Sequence, residues 1–96
     1  MPNRPIHPGE ILGDELRELD VTAAELARRI KVPANRLSQI INGRRSITGD
    51  TALRLGHWFG TSAQFWLNLQ SAYDLETAEA AVGKVVARLP RRTAAA

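Results

Sequence analysis

Between Thr22 and Arg44 the chain twice repeats apolar residues at helical spacing, with a tight turn between the runs. This pattern restricts what the chain can fold into more than any other feature. In the first run Ala23, Leu26, Ala27 and Ile30 fall on one helix face. Thr22 and Glu25 have the spacing of a capping box, in which each side chain bonds an orphaned backbone donor of the first turn. Small Ala27 marks a place where a second helix crosses closely. Lys31 and Val32 form the turn, with Val32 as an apolar plug. Pro33 suits the first turn of the next helix, because its φ is already helical. Leu37, Ile40 and Ile41 give the second run its buried face, and Gly43 can end it in the left-handed conformation. Two short helices joined this way are the unit that sets a helix into the major groove of DNA.

The outward face of the second helix carries Ala34, Asn35, Ser38, Gln39 and Asn42. Asn35, Gln39 and Asn42 stand at i, i+4 and i+7, so their amides form one stripe. Such amides donate and accept, and can pair bidentately with adenine N6 and N7. An isolated stripe of this kind is an ordinary solvated face; the charge pattern decides otherwise. From Leu26 to Gly49 the charged residues are Arg28, Arg29, Lys31, Arg36, Arg44 and Arg45, with no acidic residue. From Glu10 to Glu25 the sign reverses, with Glu10, Asp14, Glu15, Glu18, Asp20 and Glu25 against Arg17. The net charge of +3 understates this polarity. A basic segment coinciding with a helix-turn-helix pattern is the footprint of a phosphate-backbone binder, whereas a merely solubilising surface mixes the signs. The expected base readers are Asn35, Arg36, Ser38, Gln39 and Asn42. Thr22, Arg28, Lys31, Arg44 and Arg45 are the expected phosphate contacts, and acidic helix 1 is expected to face away from double-stranded DNA.

The remaining segments also read as helix. Pro8 opens a first helix after His7, with Ile11, Leu12, Leu16 and Leu19 as its buried stripe. Arg44 to Gly49 is a basic loop in which Ile47 tucks into the core. Thr48 caps a fourth helix with Ala52, Leu55 and Phe59 inward, and Gly60 stops it. Thr61 with Gln64 forms a second capping box and opens a fifth helix from Ser62 to about Ala81. No segment alternates with period two for long enough to argue for a sheet. The expectation is an all-α, five-helix domain over residues 1–83, with a basic, partly disordered tail over 84–96. The last seven residues, small and basic, are expected to be disordered. Helix 5 spreads Phe65, Trp66, Leu67, Leu69, Tyr73 and Leu75 round more than one face. One face is read as core and another as a homodimer interface, with Phe65, Trp66, Leu69 and Tyr73 as contacts. Two-fold dimers also extend a short readout to an inverted repeat.

Other function classes find little support. A chain of 96 residues, 44% hydrophobic, has room for one small core. It has no Cys, hence no disulfide, thiolate metal site or cysteine nucleophile. Its first residues carry no apolar signal region, and no apolar run approaches the roughly 20 residues of a membrane span, so a cytoplasmic protein is expected. His7 and His57 lie on different helices, and the serines have neither an elbow nor a base partner. Asp14, Glu15 and Glu18 form a solvated helix face rather than a carboxylate site. No enzyme activity, cofactor or metal is expected.

Four segments carry a resemblance: Ala27-Arg28-Arg29, Asn42-Gly43, Thr51-Ala52-Leu53-Arg54-Leu55 and Phe65-Trp66-Leu67-Asn68-Leu69-Gln70. Asn-Gly alone is a weak signal, but the Phe-Trp-Leu-Asn-Leu-Gln run at that distance from a helix-turn-helix is a strong one. From His7 to about Leu75 the chain resembles the HigA family of antitoxins, which have the lambda-repressor-like, XRE-type fold. The resemblance implies repression of a shared operon and neutralisation of a small, basic, mRNA-cutting toxin. Glu10, Asp14, Glu15 and Glu18 suit a positive partner of that kind, and are the expected toxin contacts. Two departures stand out: Pro33-Ala34 where a hydroxyl or basic residue is common, and Ala23-Ala24 where a Gln is common. Base readout then rests chiefly on Asn35, Arg36 and Gln39. The alternative is a stand-alone transcriptional regulator without a toxin.

Overall fold

A computed structural model describes residues 4–92. The chain forms α1 (Pro8–Leu19), α2 (Ala23–Ile30), α3 (Ala34–Ile41), α4 (Gly49–Phe59) and α5 (Ala63–Ala87), with no strand among the described residues. This is the expected all-α architecture. Among the described residues no helix is long and apolar enough to cross a membrane.

Caps explain where the helices begin. At α1 the imidazole Nδ1 of His7 accepts from the Gly9 N–H at 2.9 Å, and the Glu10 carboxylate accepts from the His7 N–H at 3.3 Å. This is a capping box with a histidine in the place of a hydroxyl. Thr22 caps α2 through the Glu25 N–H at 3.1 Å, but the reciprocal half of the expected box is missing. Glu25 instead pairs with Arg29, one turn on, at 2.9 Å. Pro33 is the residue before α3 rather than its first, and gives it no side-chain cap. Thr48 caps α4 as expected. The cap of α5 is Ser62, which accepts from the Phe65 N–H at 3.0 Å, not Thr61. Thr61 accepts from the Trp66 indole N–H instead, at 3.2 Å, and Gln64 donates to Asn68 at 2.9 Å.

The core joins Leu12 and Leu16 of α1 with Leu26, Ala27 and Ile30 of α2 and Leu37 and Ile40 of α3. Val32, Ile47, Ala52, Leu55 and Trp66 complete it. Leu19 was expected inside but is 51% exposed. The chain reverses at Asp20, which takes φ 57°, and the Val21 N–H closes onto the Leu16 carbonyl at 2.9 Å. Val21 then packs against the core, half-buried. Phe59 and Ile41 pack at the core's edge, half-buried.

Helix α5 runs to Ala87, beyond the expected end near Ala81, so the boundary set after Gly83 falls inside it. Its 25 residues extend about 37 Å at 1.5 Å per residue. Its first half packs on α4 and α1, and its buried residues are Trp66 and Gln70. Its second half and the turn beyond carry exposed Leu75, Val82, Val85, Val86 and Leu89. Of the tail expected to be disordered, residues 93–96 lie outside the described residues.

Candidate nucleic-acid interface

The two helices of the motif pack on each other, and Ala27 of α2 and Leu37 of α3 are essentially without exposure. Lys31 makes the turn between them at φ 60°. That turn is tied to α4: Arg54 donates from Nη1 to the Ile30 carbonyl at 2.8 Å and from Nε to Asp50 at 2.8 Å. The carbonyls at the end of α2 thus find a cationic donor from outside the motif. Arg54 belongs to the Thr51–Leu55 segment, whose spacing gives no hint of this role.

Once Leu37 and Ile40 are buried, helical geometry puts Asn35, Ser38, Gln39 and Asn42 outward. Asn35, Ser38 and Asn42 are exposed, and Gln39 is half-buried. Gln39 is not idle, because its Oε1 accepts from Arg45 Nε at 2.8 Å. A bidentate approach of Gln39 to adenine therefore first displaces the loop arginine. Arg36 stands apart from the stripe. It lies at the flank of α3, 4.0 Å from Asp50, in a cleft of about 440 Å³ shared with Lys31, Pro33, Arg45 and Arg54. Thr22, Arg28, Lys31, Arg44 and Arg45 are all exposed.

The acidic side chains of α1 differ among themselves. Glu10 is held by Arg4 through two contacts of 2.7 Å, and that hydrogen-bonded guanidinium lowers its carboxyl to about 2. Asp14 pairs with Arg17. Glu15 and Glu18 are exposed and have no ion-pair partner among the described residues. Glu10 and Asp14 also border a depression shared with Ile41 and Asn42. The acidic face therefore begins beside the recognition helix rather than on the far side of the domain.

Of the expected dimer contacts, Trp66 does not belong. It is 1% exposed, packed against Phe59 and Phe65 with ring centroids 5.4 and 5.2 Å away, and it is part of the monomer core. Phe65 is exposed, while Leu69 and Tyr73 are half-buried. Tyr73 meets the buried His7 ring edge-on at 4.8 Å.

His7 gives the domain a pH dependence. Burial lowers its pKa, against weaker opposing effects of Glu10, the Arg45 backbone and Asp74. The neutral ring is also the form whose Nδ1 can accept from Gly9. Its contribution to stability is complete above the ordinary value of 6.5 and is lost as pH falls through that value toward the lower folded one. Glu10 does not titrate in that window, since its contribution fades below 4.5, toward about 2. Thermal melts should show Tm falling between pH 7 and 5. His7→Asn, a cap that does not titrate, should flatten that fall; an unchanged slope would exclude His7 as its source.

The helix-turn-helix family matches residues 14–66. Virulence-associated protein I of Dichelobacter nodosus is 51% identical over 75 residues, spanning 77% of this chain and 69% of that protein. Among solved structures, an addiction module antidote protein of the HigA family from Coxiella burnetii is 51% identical with a TM-score of 0.92. That match covers 95% of this chain and 100% of the other. Antitoxin HigA of Pseudomonas aeruginosa, solved with the higBA promoter, is 52% identical with a TM-score of 0.89, covering 94% and 100%. Agreement of sequence and shape over almost the whole length settles the family: the chain belongs to the helix-turn-helix proteins and, among them, to the HigA antitoxins.

Proposed function

We propose that this chain is the antitoxin of a toxin–antitoxin pair, and that it represses its own operon by binding an inverted-repeat operator as a homodimer. The observation that carries the reading is the outward amide stripe of α3 within a segment whose Arg28, Lys31, Arg44 and Arg45 are all exposed. A HigA relative half identical to this chain was solved with promoter DNA, which supports the same task here. Asn35, Ser38, Gln39 and Asn42 read bases, with Arg36 reaching in from the flank. Thr22, Arg28, Lys31, Arg44 and Arg45 hold the backbone. The chain acts by binding alone, without catalysis, in the compartment that holds the DNA.

The dimer forms through α5. Leu75 and Val82 stand seven residues apart on α5 with Val85 and Val86 beside Val82, Leu89 continues the spacing just past the helix end, and all five are exposed. That is the spacing of a helix pairing with a copy of itself. Of the contacts expected nearer the domain, Phe65 is exposed, whereas Leu69 and Tyr73 lie off this stripe and are half-buried, Tyr73 against His7. Two recognition helices related in this way reach successive major grooves about 34 Å apart. The toxin, basic because it handles RNA, meets the unpaired Glu15 and Glu18, and Asp14 and Glu10 once their arginines yield.

Titration with the DNA upstream of the gene tests the reading. Asn35→Ala and Gln39→Ala should each cost about 1–3 kcal/mol and relax selectivity at one or two base pairs. Arg44→Ala should weaken all sequences alike and reduce the salt slope by about 1. Unchanged selectivity in the Asn35→Ala, Gln39→Ala double variant would refute direct readout by α3. Co-purification with the product of a small basic neighbouring reading frame separates an antitoxin from a stand-alone regulator.

A further inference from the structure

The loop over residues 42–48 carries Arg44 and Arg45, both exposed, from α3 into α4. Its apolar anchor is Ile47, which is buried. Burying that residue takes its backbone N–H out of water, and a buried donor needs a partner. The partner is Oε1 of Gln70 on α5, 2.7 Å away. Gln70 is itself buried, one turn beyond Trp66 on the inward face of α5. Its Nε2 donates to Asp74 Oδ1 at 2.9 Å. A carboxylate only accepts, so Asp74 fixes which way round the amide sits and turns its oxygen toward Ile47.

We propose that Gln70, oriented by Asp74, is a positioning residue for DNA-backbone binding. It fixes the loop that presents Arg44 and Arg45. Through the contact of Arg45 Nε with Gln39 Oε1 it also sets the outward face of α3. The helix assigned to dimerisation and the face assigned to DNA are then joined by one polar node. This rests on the function proposed above, in which those arginines meet phosphates.

Gln70→Glu preserves the side-chain shape and the acceptor for Ile47, but sets a second carboxylate against Asp74. Adding Asp74→Asn returns a donor to that carboxylate and should rescue it. Gln70→Glu is expected to weaken operator binding about tenfold and to reduce the salt slope by about 1, the equivalent of one phosphate contact. Exchange of the Ile47 amide should quicken about tenfold. The double variant should restore affinity, slope and amide protection together. A folded Gln70→Glu chain with a wild-type slope, or a double variant that recovers nothing, would overturn the proposal. If Gln70→Glu does not fold, Asp74→Ala decides: faster Ile47 exchange with a reduced slope supports the role, and no change in either refutes it. Operator binding by the wild-type chain tests the underlying function, and the variants measured against it test Gln70, so the two failures are distinct.

Discussion

Trp66→Ala is expected to melt the domain rather than to release monomers from a dimer. The indole is 1% exposed, lies between Phe59 and Phe65, and donates its N–H to Thr61. It is the largest of the fully buried side chains. Truncation removes the transfer free energy of the ring and leaves a cavity that rigid neighbours cannot refill, a loss of about 3–5 kcal/mol. Small domains hold about 5–15 kcal/mol in total, so much of the margin goes. For a domain of this size that corresponds to a drop in Tm of about 15 °C or more. Circular dichroism melts give the magnitude. Sedimentation at a temperature where the variant is still helical should show the wild-type oligomeric state. Phe65→Ala, at an exposed position, should move Tm by a few degrees at most. A Trp66→Ala chain that melts like the wild type but sediments as a monomer would return the indole to the interface.

Trp66 also shows where reading the sequence stops. In the run Phe65 to Gln70, apolar residues spread over about 200° of the helix, wider than one buried face, so periodicity alone cannot choose the inward face. The choice is made by α4, which covers Trp66 and leaves Phe65 outside. The same ambiguity hid Gln70, whose place one turn from Trp66 becomes informative only once Trp66 is known to be buried. Helix starts were legible because caps act over three residues, though those of α3 and α5 shifted by one. Ser62 displaced Thr61 because Thr61 had a better partner in the indole of Trp66. Glu25 likewise turned from Thr22 to Arg29, because a charged partner one turn on competes with a backbone donor. The end of α5 was misplaced because Gly83 reads as a stop, while its neighbours are helix formers and carry the helix through. The amide stripe on α3 was legible, since it needs only i, i+4 geometry. The hydrogen bond from Arg45 to Gln39 was not, because it depends on the path of an intervening loop.

The second large effect is expected from a single methyl group. Gly9 stands in the first turn of α1, where that turn presses on the end of α3. A Cβ there would lie 1.7 Å from the Ile40 carbonyl oxygen, 2.6 Å from its carbon and 2.9 Å from Ile41 Cα. All three are backbone atoms, so no rotamer change makes room and one helix must move. Overpacking of this kind costs about 1–3 kcal/mol, occasionally more, and a clash of backbone with backbone belongs at the upper end. The displacement also pulls the Gly9 N–H from the His7 ring that caps α1. Because the helix pushed aside is the recognition helix, operator affinity should fall more than Tm alone would suggest. Gly13→Ala is the matched control, one turn along the same helix. Its Cβ would meet Ile41 Cγ2 at 3.4 Å and Arg17 Nη1 at 3.6 Å, which is ordinary van der Waals contact with side chains. There the gain in helix propensity, about 1 kcal/mol for Gly to Ala, should dominate and raise Tm. The two substitutions are chemically identical and should differ in sign, so melts of both variants, with operator titrations alongside, measure how closely α1 seats α3. Equal effects at the two positions would mean that α3 is held by its contacts with α2 and not by α1.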